Sequence, residues 1–115
     1  LTMARTWYER AIALGYTGSM NNLGVMYHYG RGVPLDHTEA MRLYRMGAEA
    51  GDPFCMENVG LLYHNGQGID ANHSTALQWY RRAWKALPYE TNPRDREKVR
   101  NSILFRCREL NASPE

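Results

Sequence analysis

Asn22-Leu23-Gly24-Val25-Met26-Tyr27-His28-Tyr29-Gly30-Arg31-Gly32-Val33 returns 36 residues later as Asn58-Val59-Gly60-Leu61-Leu62-Tyr63-His64-Asn65-Gly66-Gln67-Gly68-Ile69. Outward from this pair, the same offset sets Gly15 on Gly51, Met20 on Met56, His37 on His73, Ala40 on Ala76, Tyr44 on Tyr80, Arg45 on Arg81 and Ala50 on Ala86, for 13 identities in 36 positions. In the other direction Ala4 and Tyr8 match Ala40 and Tyr44. A period of this length marks stacked supersecondary units, none of which buries its apolar face alone. The chain therefore divides into a trailing half repeat (1–14), two full repeats (15–50 and 51–86) and a different C-terminal segment (87–115).

Each repeat reads as a pair of helices. The first helix runs from about Gly18 to Tyr29, and again from about Phe54 to Asn65. Ser19, Leu23, Met26 and Tyr27 share one face at helical spacing, as do Cys55, Val59, Leu62 and Tyr63. Asp52-Pro53 is a cap and first-turn pair, and Gly30 and Gly66 are stops, because glycine takes the left-handed cap at no steric cost. The second helix starts at Asp36, with Glu39 at the spacing of a capping box, and Asn72 is the equivalent cap in the next copy. Gly51 closes the first of these second helices. No segment alternates with period two, so no sheet is expected. Gly24 and Gly60 sit mid-helix, where glycine is disfavoured by ~1 kcal/mol relative to alanine. Their recurrence points to another helix crossing closely, with Ala40 and Ala76 as the matching small residues.

Composition bounds the function. With 115 residues the chain is one domain, and 43% hydrophobic content with 8 Tyr, 3 Trp and 6 Met excludes an intrinsically disordered chain. The formal charge is +2, against a generally nucleic-acid-binding or polyacidic protein. No apolar run approaches the ~18 residues of a membrane helix. Cys55 and Cys107 allow at most one bridge and both fall on apolar helical faces, so they read as buried thiols.

Leu23-Gly24-x-x-Tyr27-x-x-Gly30-x-Gly32-Val33 followed by Asp36, Ala40 and Tyr44 resembles the Sel1-like repeat, as does Val59-Gly60-x-x-Tyr63-x-x-Gly66-x-Gly68-Ile69 with Ala76 and Trp79-Tyr80. Asn72 departs from the usual Asp, and Ser19 and Cys55 stand where alanine is common. These repeats are relatives of the tetratricopeptide repeat, and the resemblance implies an all-α, right-handed α-α superhelix closed by a C-terminal capping helix. It also implies a scaffold that binds a partner protein or an extended peptide on its concave face. A bacterial immunity or enzyme-inhibitor protein is the alternative, using the same surface.

On a helical wheel Asn21, Val25 and His28 point away from Ser19, Leu23 and Met26, with Asn22 and Tyr29 on the flank. Glu57, Leu61, His64, Asn58 and Asn65 repeat that arrangement, so these ten residues are the candidate partner-binding face, left open when the helix pairs on its Leu23/Tyr27 side. Alignment with the tetratricopeptide pattern puts Asn22 and Asn58 where that family holds a peptide backbone. An amide offers a donor and an acceptor, as a strand does. The competing reading has both asparagines bonding neighbouring helix ends.

Other constellations fail on chemistry. His28/His64 and His37/His73 are repeat-related pairs, and packed helices stand ~8–10 Å apart, too far for a shared metal. Gly66-Gln67-Gly68-Ile69-Asp70-Ala71 fits a dinucleotide fingerprint formally but follows a helix, so no cofactor is expected. Some Sel1-like proteins are linked to β-lactam chemistry, yet Ser19, Ser74, Ser102 and Ser113 have no lysine three residues on, and an enzyme is not expected.

At the C-terminus, Leu87-Pro88 ends one helix and Asn92-Pro93 starts another, with Val99, Ile103, Cys107 and Leu110 as its covering stripe. Arg94, Arg96, Lys98, Arg100, Arg106 and Arg108 fill its other face, and from Arg81 to Arg108 nine basic residues stand against three acidic ones. That face reads as a solvated cap or as a site for an acidic surface, and not for nucleic acid, which would need interleaved aromatics beyond Phe105. At the other end the helix at about 3–14 carries Trp7, Tyr8, Ala11 and Leu14 with only one neighbour to cover it. Upstream repeats or self-association through this end are expected.

Overall fold

The computed structural model describes residues 17–87 and 93–115. The helix expected at 3–14, with its self-association, and the linker around residues 88–92 lie outside the described residues. The rest is helical, with no strand among the described residues: α1 (Thr17–Tyr29), α2 (His37–Glu49), α3 (Pro53–Asn65), α4 (His73–Ala86) and α5 (Pro93–Glu109). Each helix packs on the next from α1 to α4, and α5 lies across α3 and α4.

The local signals act as their chemistry dictates. Asp52 Oδ1 accepts from the backbone N–H groups of Phe54 and Cys55, with Pro53 in the first turn. Asp36 accepts from Glu39 N–H and Asn72 from Thr75 N–H. The capping box is only half made, however. The Glu39 carboxylate turns to Arg42 instead, and the Asp36 N–H that it would have taken donates to Tyr27 O at 2.9 Å. The equivalent Asn72 N–H donates to Tyr63 O at 2.9 Å, so the loop of each repeat is tied back onto its own first helix.

The mid-helix glycines mark a close approach, and the group that approaches is a ring. A β-carbon on Gly24 would stand 2.5 Å from Tyr44 Cε1, and one on Gly60 would stand 2.6 Å from Tyr80 Cε1. Tyr44 and Tyr80 are fully buried, each with its ring packed against the glycine of its own repeat. Around them Cys55, Val59, Leu62, Ala76 and Ala83 form one core with Val99, Ile103 and Cys107 of α5. Leu23, Met26, Val33 and Leu43 form a smaller cluster inside the first repeat. Both cysteines are free and buried, and burial pushes both thiols above the ordinary range. Three of the four residues in the expected α5 stripe are fully covered; Leu110 is half-buried.

Candidate functional site

The first helix of each repeat and the C-terminal helix enclose one groove. Gly18, Asn21 and Asn22 of α1 line it, with Phe54, Glu57 and Asn58 of α3, Asp52 ahead of α3, and Lys98, Val99 and Ser102 of α5. Its volume is about 440 Å³. Asn58 Nδ2 donates to Asn21 Oδ1 at 2.7 Å, which couples the two repeats through side-chain amides. Asn22 is exposed and makes no side-chain hydrogen bond among the described residues. Among the described residues, neither Asn22 nor Asn58 bonds a helix end.

At the α5 side the Glu57 carboxylate is buried, and Oε2 accepts from Arg106 Nε at 2.7 Å. Burial raises its pKa, while Arg106 and the Ser102 hydroxyl hold it down. The pair anchors α5 to α3, so one basic residue of the C-terminal face has a structural task. Another, Arg100, lies over the Trp84 ring at 5.9 Å.

The wheel overstates how open the face is. Asn22, Tyr29 and Asn65 are exposed, Asn21, Val25, Asn58 and His64 are half-buried, and His28, Glu57 and Leu61 are buried. His28 is not a ligand-face residue, because the turn of the following repeat covers it. Its Nε2 lies 2.9 Å from Gln67 Oε1 and its Nδ1 lies 3.1 Å from the Tyr44 hydroxyl. His64 repeats the second contact, with Nδ1 3.0 Å from the Tyr80 hydroxyl. Val25 packs against the main core, and Glu57 is taken by α5. The structure brings Asn21, Asn22, Glu57 and Asn58 together in the groove; Val25, His28, Tyr29, Leu61, His64 and Asn65 do not line it. Sequence reasoning missed Phe54, Lys98 and Ser102 as groove residues; the basic run that contains Lys98 was the available signal. No group of three or more His, Cys, Asp or Glu side chains among the described residues could hold a metal ion.

Comparison with known proteins places this geometry. The Sel1 repeat model matches residues 1–16, 17–52 and 53–85. The crystal structure of a Sel1 repeat protein from Oxalobacter formigenes superposes with a TM-score of 0.66 at 34% identity, covering 71% of this chain and 34% of that one. The structure of c5321, a protective antigen present in uropathogenic Escherichia coli strains that displays an SLR fold, superposes with a TM-score of 0.70 at 29% identity, covering 92% of this chain and 20% of that one. The chain thus spans about a third and a fifth of the two solved chains. No curated protein matches it.

Proposed function

The chain belongs to the Sel1 repeat family, whose solenoids are protein-interaction scaffolds, and from that premise we propose that it seats an extended segment of a partner protein in the groove between α1, α3 and α5. The observation that carries this reading is the amide row. Asn22 has its whole amide available, and Asn58 keeps its carbonyl oxygen while its N–H₂ bridges to Asn21. An extended backbone exposes alternating donors and acceptors, which such amides satisfy as a neighbouring strand would. Phe54 supplies apolar contact on the groove wall.

The test is a peptide selected against the chain from a displayed random library, then titrated against Asn22→Ala and Asn22→Ala with Asn58→Ala. The expected loss is ~1–3 kcal/mol, the penalty for leaving a buried backbone group of the ligand unpaired. Asn22→Ala is the cleaner variant, since Asn58 also serves the internal bond to Asn21. Unchanged affinity in both, with intact circular dichroism, returns the asparagines to a structural role.

A further inference from the structure

A second recess lies on the seam between the two repeats, where the turn from α2 to α3 meets the last turns of α4. Ala50, Gly51, Met56 and Ala86 line it together with Arg82 and Lys85, and its volume is about 460 Å³. It shares no lining residue with the groove of α1, α3 and α5. The Arg82 guanidinium lies over the Trp79 ring at 4.2 Å, and that of Arg45 lies over the same ring at 5.9 Å. Trp79 itself is buried, so the indole is a seat for the two cations rather than a surface for a ligand to stack on.

The charge here is uncompensated. Arg45, Arg82 and Lys85 are exposed and none forms an ion pair among the described residues. Glu49, in the last turn of α2, is the one carboxylate of that turn and pairs with none of them. Two of these cations are also particular to the second repeat, whereas Arg45 recurs as Arg81. At the 36-residue offset Arg82 replaces Met46 and Lys85 replaces Glu49. Core packing does not require this change, because both side chains point to solvent.

We propose that this seam is a second docking surface, for an acidic protein segment in which one apolar side chain is flanked by carboxylates. The apolar side chain enters the recess between Met56 and Ala86, and the flanking carboxylates meet Arg82, Lys85 and Arg45. Exposed ion pairs are individually weak, so the charges select the partner and speed its encounter while the buried side chain holds it. Nucleic acid fits poorly, for no lining residue offers an aromatic face to a base. Since the two surfaces share no residue, their occupants need not compete.

The experiment titrates the isotope-labelled chain at low salt with the end-blocked peptide Glu-Glu-Leu-Glu-Glu and follows backbone amide shifts. Saturable shifts centred on Ala50, Gly51, Met56 and Ala86 are expected. They should weaken by roughly tenfold or more in Arg82→Glu with Lys85→Glu, and weaken again when glycine replaces the peptide's leucine. Asn22→Ala with Asn58→Ala should leave them unchanged, which separates this surface from the groove. Absent shifts, shifts on α5 instead, indifference to the charge reversal or equal binding of the glycine peptide would overturn the proposal. So would saturable shifts at the seam with a thymidine oligonucleotide or anionic vesicles in place of the peptide.

Discussion

His28 of the first repeat and Gln67 of the second are joined side chain to side chain, Nε2 to Oε1 at 2.9 Å. The glutamine oxygen accepts, so the imidazole proton sits on Nε2 and Nδ1 accepts from the Tyr44 hydroxyl. One neutral tautomer thus satisfies both contacts; protonating Nδ1 would keep the Nε2–H bond to Gln67 and disturb only the contact with the Tyr44 hydroxyl inside the first repeat.

A pH dependence follows. Burial lowers the His28 pKa from its ordinary 6.5, with His37 and Arg106 adding to the effect and Gln67 opposing it. His64 is lowered too, by burial first, then by His73 and Arg106 against Glu109. The unfolded chain takes up protons on these rings near their ordinary pKa while the folded chain resists, so stability is full above that pH and falls as pH drops through it. Thermal melts between pH 7.5 and 5.5 should show a falling midpoint, with a shallower slope in His28→Gln, and Glu57→Gln in both chains removes the carboxylate that burial raises toward this window. A flat profile in the parent chain contradicts this account.

Gly60→Ala should destabilise although alanine is the better helix former. The added β-carbon meets the Tyr80 ring at 2.6 Å and Ala76 O at 3.1 Å. Overpacking of ~1–3 kcal/mol exceeds the ~1 kcal/mol gained in propensity. Gly18→Ala, with nothing within 4 Å, is the control that should be neutral or slightly stabilising. Urea titration of both variants separates the two effects.

Arg106→Met should lower stability by ~1–3 kcal/mol by leaving the Glu57 carboxylate buried without its charged partner. Adding Glu57→Leu should recover most of the loss, since two apolar groups in place of a buried pair are often neutral. If the double variant is as unstable as the sum of the singles, the pair does not act as a unit.

Asn72→Ala removes the acceptor for Thr75 N–H at the start of α4. The expected loss is ~1 kcal/mol, and Asn72→Asp, which restores the residue common at this repeat position, should hold or raise the melting midpoint. Differential scanning calorimetry of the two variants checks the sign.

What the sequence made legible is local. Asp52-Pro53, Gly66 and Asn72 act within one turn of themselves, so their neighbours along the chain suffice to read them. The mid-helix glycines were legible as close approaches, but the ring that approaches comes from 20 residues on, Tyr44 for Gly24 and Tyr80 for Gly60. The site was harder for the same reason. A wheel drawn for one helix shows His28 and Glu57 as open, and both are covered by chain beyond that helix, from Gln67 and from Arg106. Asn22 stays exposed because no side chain among the described residues bonds it.

Gly68 touches the first repeat with its backbone alone: a β-carbon there would stand 2.8 Å from His37 Cβ and 2.9 Å from His37 C. In a solenoid each unit is tilted against the last by a small fixed rotation, and the curvature of the whole is the sum of those rotations. The bare turn at Gly68 lets the second unit lean fully onto the start of α2. A spacer of even one methyl would act as a wedge at the end of a lever ~20 Å long, the length of a 13-residue helix. The spacing of α1 and α3 thus depends on a turn residue that does not itself line the groove between them.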